Sequence, residues 1–181
     1  MAVLVHICCA PCFAYPHKKL REEGHDVVGF WYNPNVHPYM EYRARVDAVE
    51  KYASLENVEM VYGDYDLQPY LEMSLAAMRD GGRRERCQQC YRYRLEKTAR
   101  YAADNDYDAF TSTLLVSHHQ QHAAIKDIGE ELASQHDVPF HYRDFREGWD
   151  QGKAIATQYG LYRQKYCGCL FSEWERYRGS L

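Results

Sequence analysis

The 181-residue sequence lacks what would tie it to a membrane or an export route. No run of about 18 apolar residues occurs, so no membrane-spanning helix is expected. The N-terminus has no basic stretch followed by a long apolar segment, so a secretory leader is not expected, and the expected location is the cytoplasm. Internal repeats and low-complexity tracts are also missing. Apolar residues still make up 46%, enough for a core, and the length suits one domain over 1–181. Cysteine is absent from most of the chain. All seven fall in three tight groups: Cys8, Cys9 and Cys12; Cys87 and Cys90; Cys167 and Cys169. In a reducing compartment such bunching points to metal or redox chemistry rather than disulfides.

What is present alternates. Strand-like runs at 2–7, 26–33, 58–63, 108–114 and 139–145 are separated by stretches with helical character. Helices are expected over 13–23, 39–55, 67–78, from about 87 to 105, and over 118–135, 150–159 and 170–178. The stretch "RDGGRRER" between the third and fourth of these reads as a flexible basic link. Alternation of this kind predicts a mainly parallel sheet with right-handed crossovers, a Rossmann-like three-layer α/β sandwich. Ligands in such folds bind at the C-terminal ends of the strands. "HICCAPC", "NPNVHP" and "STLLVSHH" follow strands one, two and four, so these loops can share one rim.

Charge is uneven on a chain of net charge −4. Residues 79–100 hold eight basic side chains against three acids, on a protein otherwise acidic. Either an anionic substrate docks there, or the stretch is a solvated helix face with i,i+4 pairs such as Glu96 with Arg92 and Arg100.

The thiols allow several chemistries. "CQQC" alone fits zinc, an iron–sulfur cluster or a dithiol redox pair. Cys9 and Cys12 form a second C-x-x-C, and the two pairs supply four thiolates, enough for tetrahedral zinc or a [4Fe-4S] cluster. Cys8, Cys167 and Cys169 remain. Neighbouring side chains on an extended strand end point opposite ways, so Cys8 and Cys9 can serve two adjacent centres. A closed four-thiolate site beside an open three-thiolate site would set an electron donor next to a Lewis acid. A structural zinc with inert remaining thiols is the plainer alternative. His118, His119 and His122 read as surface residues at a helix start, and His37 has the better chance of meeting a ligand.

Five segments together carry a resemblance: "HICCAPC", "YNPNVHPYMEYRAR", "RCQQCYRYRLEKTA", "TSTLLVSHHQQHAAIKDIGEELA" and "DFREGWDQG…YGLYRQKYCGC". Over roughly 2–172 the chain resembles the QueH-type epoxyqueuosine reductases. The resemblance implies an adenine-nucleotide α-hydrolase-like fold. It also implies two-electron deoxygenation of epoxyqueuosine to queuosine at the wobble position of tRNA, the last step of queuosine biosynthesis. Neither cobalamin nor a membrane is implied. It further implies a [4Fe-4S] cluster on Cys9, Cys12, Cys87 and Cys90, and a mononuclear iron on Cys8, Cys167 and Cys169. Some members of the family carry Asp where this chain has Cys12. The "SGGxDS" loop of related ATP-pyrophosphatases is replaced by "HICCAPC", so ATP is not expected as a partner.

On this resemblance the electron donor is unidentified. His37, Tyr39 and Tyr166 are candidate proton donors by position. Candidate substrate and tRNA contacts are Asn33, Asn35, Arg83, Arg84, Arg86, Ser117, Arg163 and Lys165. An unpaired wobble base can be splayed onto aromatic rings, and the chain has 17 tyrosines. The rival readings are a zinc-stabilised RNA-binding module without catalysis and an iron–sulfur oxidoreductase acting on a small anionic metabolite.

Overall fold

The run "AVLVH" is β-branched and apolar, suited to a strand buried on both faces. It forms β1 (Ala2–His6), with Val3, Leu4, Val5 and His6 fully buried. The computed structural model describes residues 1–179. Its sheet has four parallel strands in the order β3-β2-β1-β4, with β2 at Asp26–Trp31, β3 at Glu59–Tyr62 and β4 at Ala109–Ser112.

The helices are α1 (Ala10–Glu22), α2 (Tyr39–Glu56), α3 (Leu67–Asp104), α4 (His122–His136), α5 (Trp149–Gln158) and α6 (Leu170–Tyr177). From β1 the chain steps to β2 and β3 on one side, then returns past β1 to reach β4. Right-handed crossovers therefore put α1 and α2 on one face of the sheet and α3 on the other. Packing agrees: α1 contacts α2 and α5, while α3 contacts α4. The strand order reverses between β1 and β4. Loops leave that point in opposite directions, and a crevice opens outside the strand ends.

The structure departs from the sequence expectation in four places. Helix α1 starts at Ala10, not 13, because the Cys9 sulfur caps it and Pro11 suits its first turn. The basic link is not a loop. Helical backbone runs through it on both sides of a single break at Gly82 (φ 67°, ψ −150°), so α3 spans the whole region. Helix α4 begins at His122, leaving His118 and His119 in the preceding loop. The expected fifth strand shrinks to one parallel bridge between Phe140 and Phe110. Pro139 has no N–H for a ladder, and its carbonyl accepts from Phe110 instead.

Helix α5 lies close on α1. A Cβ at Gly152 would come 2.9 Å from the Pro11 carbonyl oxygen, so only glycine permits this approach. That contact directs residues 161–169 back over the start of α1.

Candidate metal centre

The first cysteine loop sits in the switch-point crevice. Past the last paired residue of β1, Cys8 is held by β4's continuation. The Thr113 hydroxyl accepts from Cys8 N (2.9 Å) and donates to Cys8 Sγ (3.2 Å). Cys9 is extended (φ −173°, ψ 159°), and its sulfur accepts from Cys12 N at 3.4 Å as the N-cap of α1. The three sulfurs of Cys8, Cys9 and Cys12 lie within 4.8 Å of one another, with Cys8 and Cys9 3.9 Å apart. Strand alternation stops with β1's pairing at His6, so the adjacent sulfurs enter the same space.

Such crowding makes protonation unequal. The thiols of Cys12 and Cys9 and the Thr113 hydroxyl hold the Cys8 thiol well below its ordinary pKa. Burial, then the Cys8 contact, pushes Cys9 up against the pull of Cys12, and the contacts with Cys8 and Cys9, with burial, push Cys12 up. One thiolate solvated by two thiols is a site that a cation completes by displacing the remaining protons.

The other thiols arrive from two elements. Cys87 and Cys90 are one turn apart on α3, hence on one face. Burial raises the Cys87 thiol, with Arg86 opposing and Cys90 and Cys169 adding to it. Cys169 caps α6, its sulfur accepting from Ser172 N at 3.4 Å. The C-x-C turn is tied down from outside. Arg45, buried at 1% exposure, donates to the carbonyls of Cys167 (2.9 Å) and Tyr166 (3.1 Å). Gly168 O accepts from His37 N at 2.8 Å. Gly168 has φ +132°, and a Cβ there would lie 3.0 Å from Val36 and 3.1 Å from Arg45 Nη1, so the turn requires glycine. Side-chain amides reach the sulfurs directly: Gln164 Nε2 donates to Cys9 Sγ (2.8 Å) and Gln120 Nε2 to Cys167 Sγ (3.7 Å). All seven cysteines are free thiols. This donor set is sulfur-only, with Cys9, Cys12, Cys90 and Cys169 buried, Cys8 and Cys87 half-buried and Cys167 exposed, and it fits thiophilic metals.

A family model described as "Epoxyqueuosine reductase QueH" matches residues 3–175. The chain belongs to the epoxyqueuosine reductase QueH family. It is 39% identical to the QueH of Dehalococcoides mccartyi, over 97% of this chain and 94% of that protein. It is 34% identical to the QueH of Thermotoga maritima, over 96% and 91% respectively. The match to the Helicobacter pylori QueH, at 35%, spans 94% of this chain but 49% of the longer relative. A crystal structure of a predicted subunit of tRNA methyltransferase from Methanocaldococcus jannaschii superposes with TM-score 0.59 at 13% identity, covering 87% of this chain and 74% of that one. That likeness concerns the fold alone, a parallel sheet with helices on both faces.

In this QueH-family chain the "NPNVHP" loop lies inside the rim. Asn33 and Asn35 are 1% exposed and His37 is 5% exposed. Asn33 Nδ2 donates to Ile7 O (2.7 Å), but its Oδ1, the Oδ1 of Asn35 and both His37 ring nitrogens have no partner. Burial lowers the His37 pKa, which keeps the ring neutral. Tyr166 donates to His37 O at 2.6 Å, and burial raises its pKa. Tyr39 stands at the mouth, 55% exposed, stacked on Tyr42. Ser117 Oγ accepts from His119 N.

The basic residues divide. Arg83, Arg84, Arg163 and Lys165 are exposed. Arg86 is buried, bonded to Glu175 (3.3 Å) and lying 4.6 Å from the Phe171 ring, where it joins α3 to α6. Thr113, Gln120, Gln164 and Arg45 were invisible as site residues in the sequence. Each acts on a partner at least 47 positions away, so no local spacing marks it.

Proposed function

We propose that this chain reduces epoxyqueuosine to queuosine in tRNA, as the name of its relatives states. The observation that supports the reading is the gathering of the free Cys8, Cys9 and Cys12 sulfurs within 4.8 Å of one another at the C-terminal end of β1. In the proposal Cys9, Cys12, Cys87 and Cys90 hold a [4Fe-4S] cluster, and Cys8, Cys167 and Cys169 hold a mononuclear iron. The 3.9 Å between the Cys8 and Cys9 sulfurs makes the two groups neighbours. Bound there, the cluster supplies electrons one at a time, and the single iron offers a Lewis acid for the epoxide oxygen.

The chain's own residues do the rest. The reaction is a net two-electron deoxygenation: two C–O bonds break, a C=C bond forms, and the oxygen leaves as water after taking two protons. His37 is neutral, with both ring nitrogens buried and unpartnered, so it can relay a proton, taking one up on its free nitrogen as it releases the one on the other. Tyr166 keeps its Oη proton at neutral pH and holds His37 in place through the carbonyl. Tyr39 offers an exposed ring and hydroxyl to the entering nucleoside. Asn33 and Asn35 present free amide oxygens to substrate hydroxyls. Arg83, Arg84, Arg163 and Lys165 meet phosphates of the anticodon arm. Electrons come from an unidentified one-electron donor, and no ATP or cobalamin enters the scheme.

Anaerobic purification tests this reading. The expected protein is brown, holds about five irons with sulfide per chain, and converts epoxyqueuosine in tRNA when given dithionite. One zinc per chain without sulfide, together with tRNA binding but no turnover, would replace it by a zinc-stabilised RNA-binding module.

A further inference from the structure

Two arginines of the basic stretch 79–100, Arg86 and Arg94, cannot face solvent or tRNA. Arg94 is 1% exposed. It follows Cys87 and Cys90 at spacings of seven and four along α3, so it shares their face of the helix. Its Nε donates to the Cys90 carbonyl at 3.2 Å, and its Nη2 is buried with no acceptor.

Two other buried arginines behave differently. Arg45 is paired with Glu41 and Arg86 with Glu175. Among the described residues no carboxylate pairs with Arg94. Burial opposes the Arg94 charge, and Cys90, Cys167, Tyr70 and Cys8, all thiols or phenols, are the groups whose ionisation favours it. The His6 ring bonds Ser112 and the Tyr32 carbonyl and offers no negative charge. A guanidinium enclosed without a counter-charge is costly. Among the described residues the groups suited to supply that charge are the thiols, once they are ionised as metal ligands.

We propose that Arg94 is the buried counter-cation of the thiolate centre. It is a positioning residue that holds anionic ligands together and makes the centre easier to reduce. Four thiolates around a cluster leave excess negative charge, and each added electron increases it. A fixed cation at their edge favours the reduced state and the ionised ligands alike. Arg94 therefore belongs to the metal centre and not to the tRNA surface. This rests on the metal-thiolate reading above.

Two variants test it. Arg94→Met keeps the volume and removes the charge, while Arg94→Lys keeps the charge. In the anaerobically loaded protein, R94M is expected to lower the one-electron reduction equilibrium of the centre at least ~10-fold, equivalent to ~59 mV. R94K is expected to remain within about twofold of the parent. An R94M centre with intact absorption and the parental potential would overturn the proposal, as would equal shifts in both variants.

Cobalt titration of the metal-free protein, read by thiolate-to-cobalt absorption, supplies an independent arm. R94M should bind ~10-fold more weakly and R94K as the parent does. Equal affinities in all three proteins would overturn the proposal. The two failures are separable: if the parent holds only zinc, the reductase reading fails, while the cobalt arm still judges Arg94.

Discussion

Arg45 Nη1 donates to the carbonyl oxygen of Cys167 across 2.9 Å, joining α2 to a turn 122 residues later. Glu41 fixes the same guanidinium from below, at 2.8 Å. The exposed end of the C-x-C turn is thus positioned by a buried ion pair rather than by its own sequence.

Arg45→Met should release that turn. Glu41, at 10% side-chain exposure, would lose its cation and keep only the Tyr162 hydroxyl as partner. The expected cost is about 3 kcal/mol in denaturant unfolding of the metal-free protein. Iron content per chain should fall in parallel. A variant with parental stability and full metal content would show that Arg45 does not hold the turn.

Thr113→Val removes the hydroxyl that bonds both the nitrogen and the sulfur of Cys8. The side chain keeps its shape, so the loss is one of hydrogen bonding, about 1–2 kcal/mol in stability. Metal affinity, measured with cobalt, should drop ~10-fold, and Thr113→Ser should restore most of it.

Gly168→Ala introduces a methyl group where φ is +132° and where Val36 and Arg45 stand 3.0 and 3.1 Å away. Strain of about 1–3 kcal/mol is expected from the backbone alone. Thermal unfolding should register it, and the Cys167 and Cys169 sulfurs should bind cobalt less tightly. An unchanged melting temperature would mean that the turn relaxes freely.

His17 sets a pH dependence away from the metal centre. It is buried against Tyr52, whose hydroxyl lies 2.9 Å from Nδ1. Burial lowers its pKa to about 4, from about 6.5 in the unfolded chain. As pH falls below 6.5 the unfolded chain takes up a proton that the folded one refuses. Stability is therefore lost between pH 6.5 and 4, at up to about 1.4 kcal/mol per pH unit. Urea unfolding at pH 7 and pH 5 should show the loss, and His17→Gln should remove that part of the slope.

The sheet and the rim were legible in the sequence because hydrophobic period and chain alternation are local signals. "AVLVH" and "DVVGFW" could hardly be anything but buried strands, and the three cysteine groups stood out by clustering alone. Tertiary context decided the rest. Pro139 cut a promising strand to one bridge, and Gly82 bent a helix where a loop was expected. Arg86 and Arg94 looked like members of a charged surface, yet both are buried. Their burial depends on α6 and the cysteine loop closing over α3, and nothing within ten residues of either announces it. The groups that bond the sulfurs share this difficulty, since Thr113 and Gln164 each meet a cysteine more than one hundred positions distant.

Two of the sulfurs have a second occupation. Cys9 caps α1 and Cys169 caps α6, each accepting a backbone N–H at 3.4 Å. A thiolate caps better than a thiol, because it answers the positive end of the helix. Stripping the centre would weaken both first turns together, one against the central strand and one at the chain's far end. On the proposed metal loading, filled and empty molecules would differ in how readily those turns open, so proteases could tell them apart without sensing the metal itself.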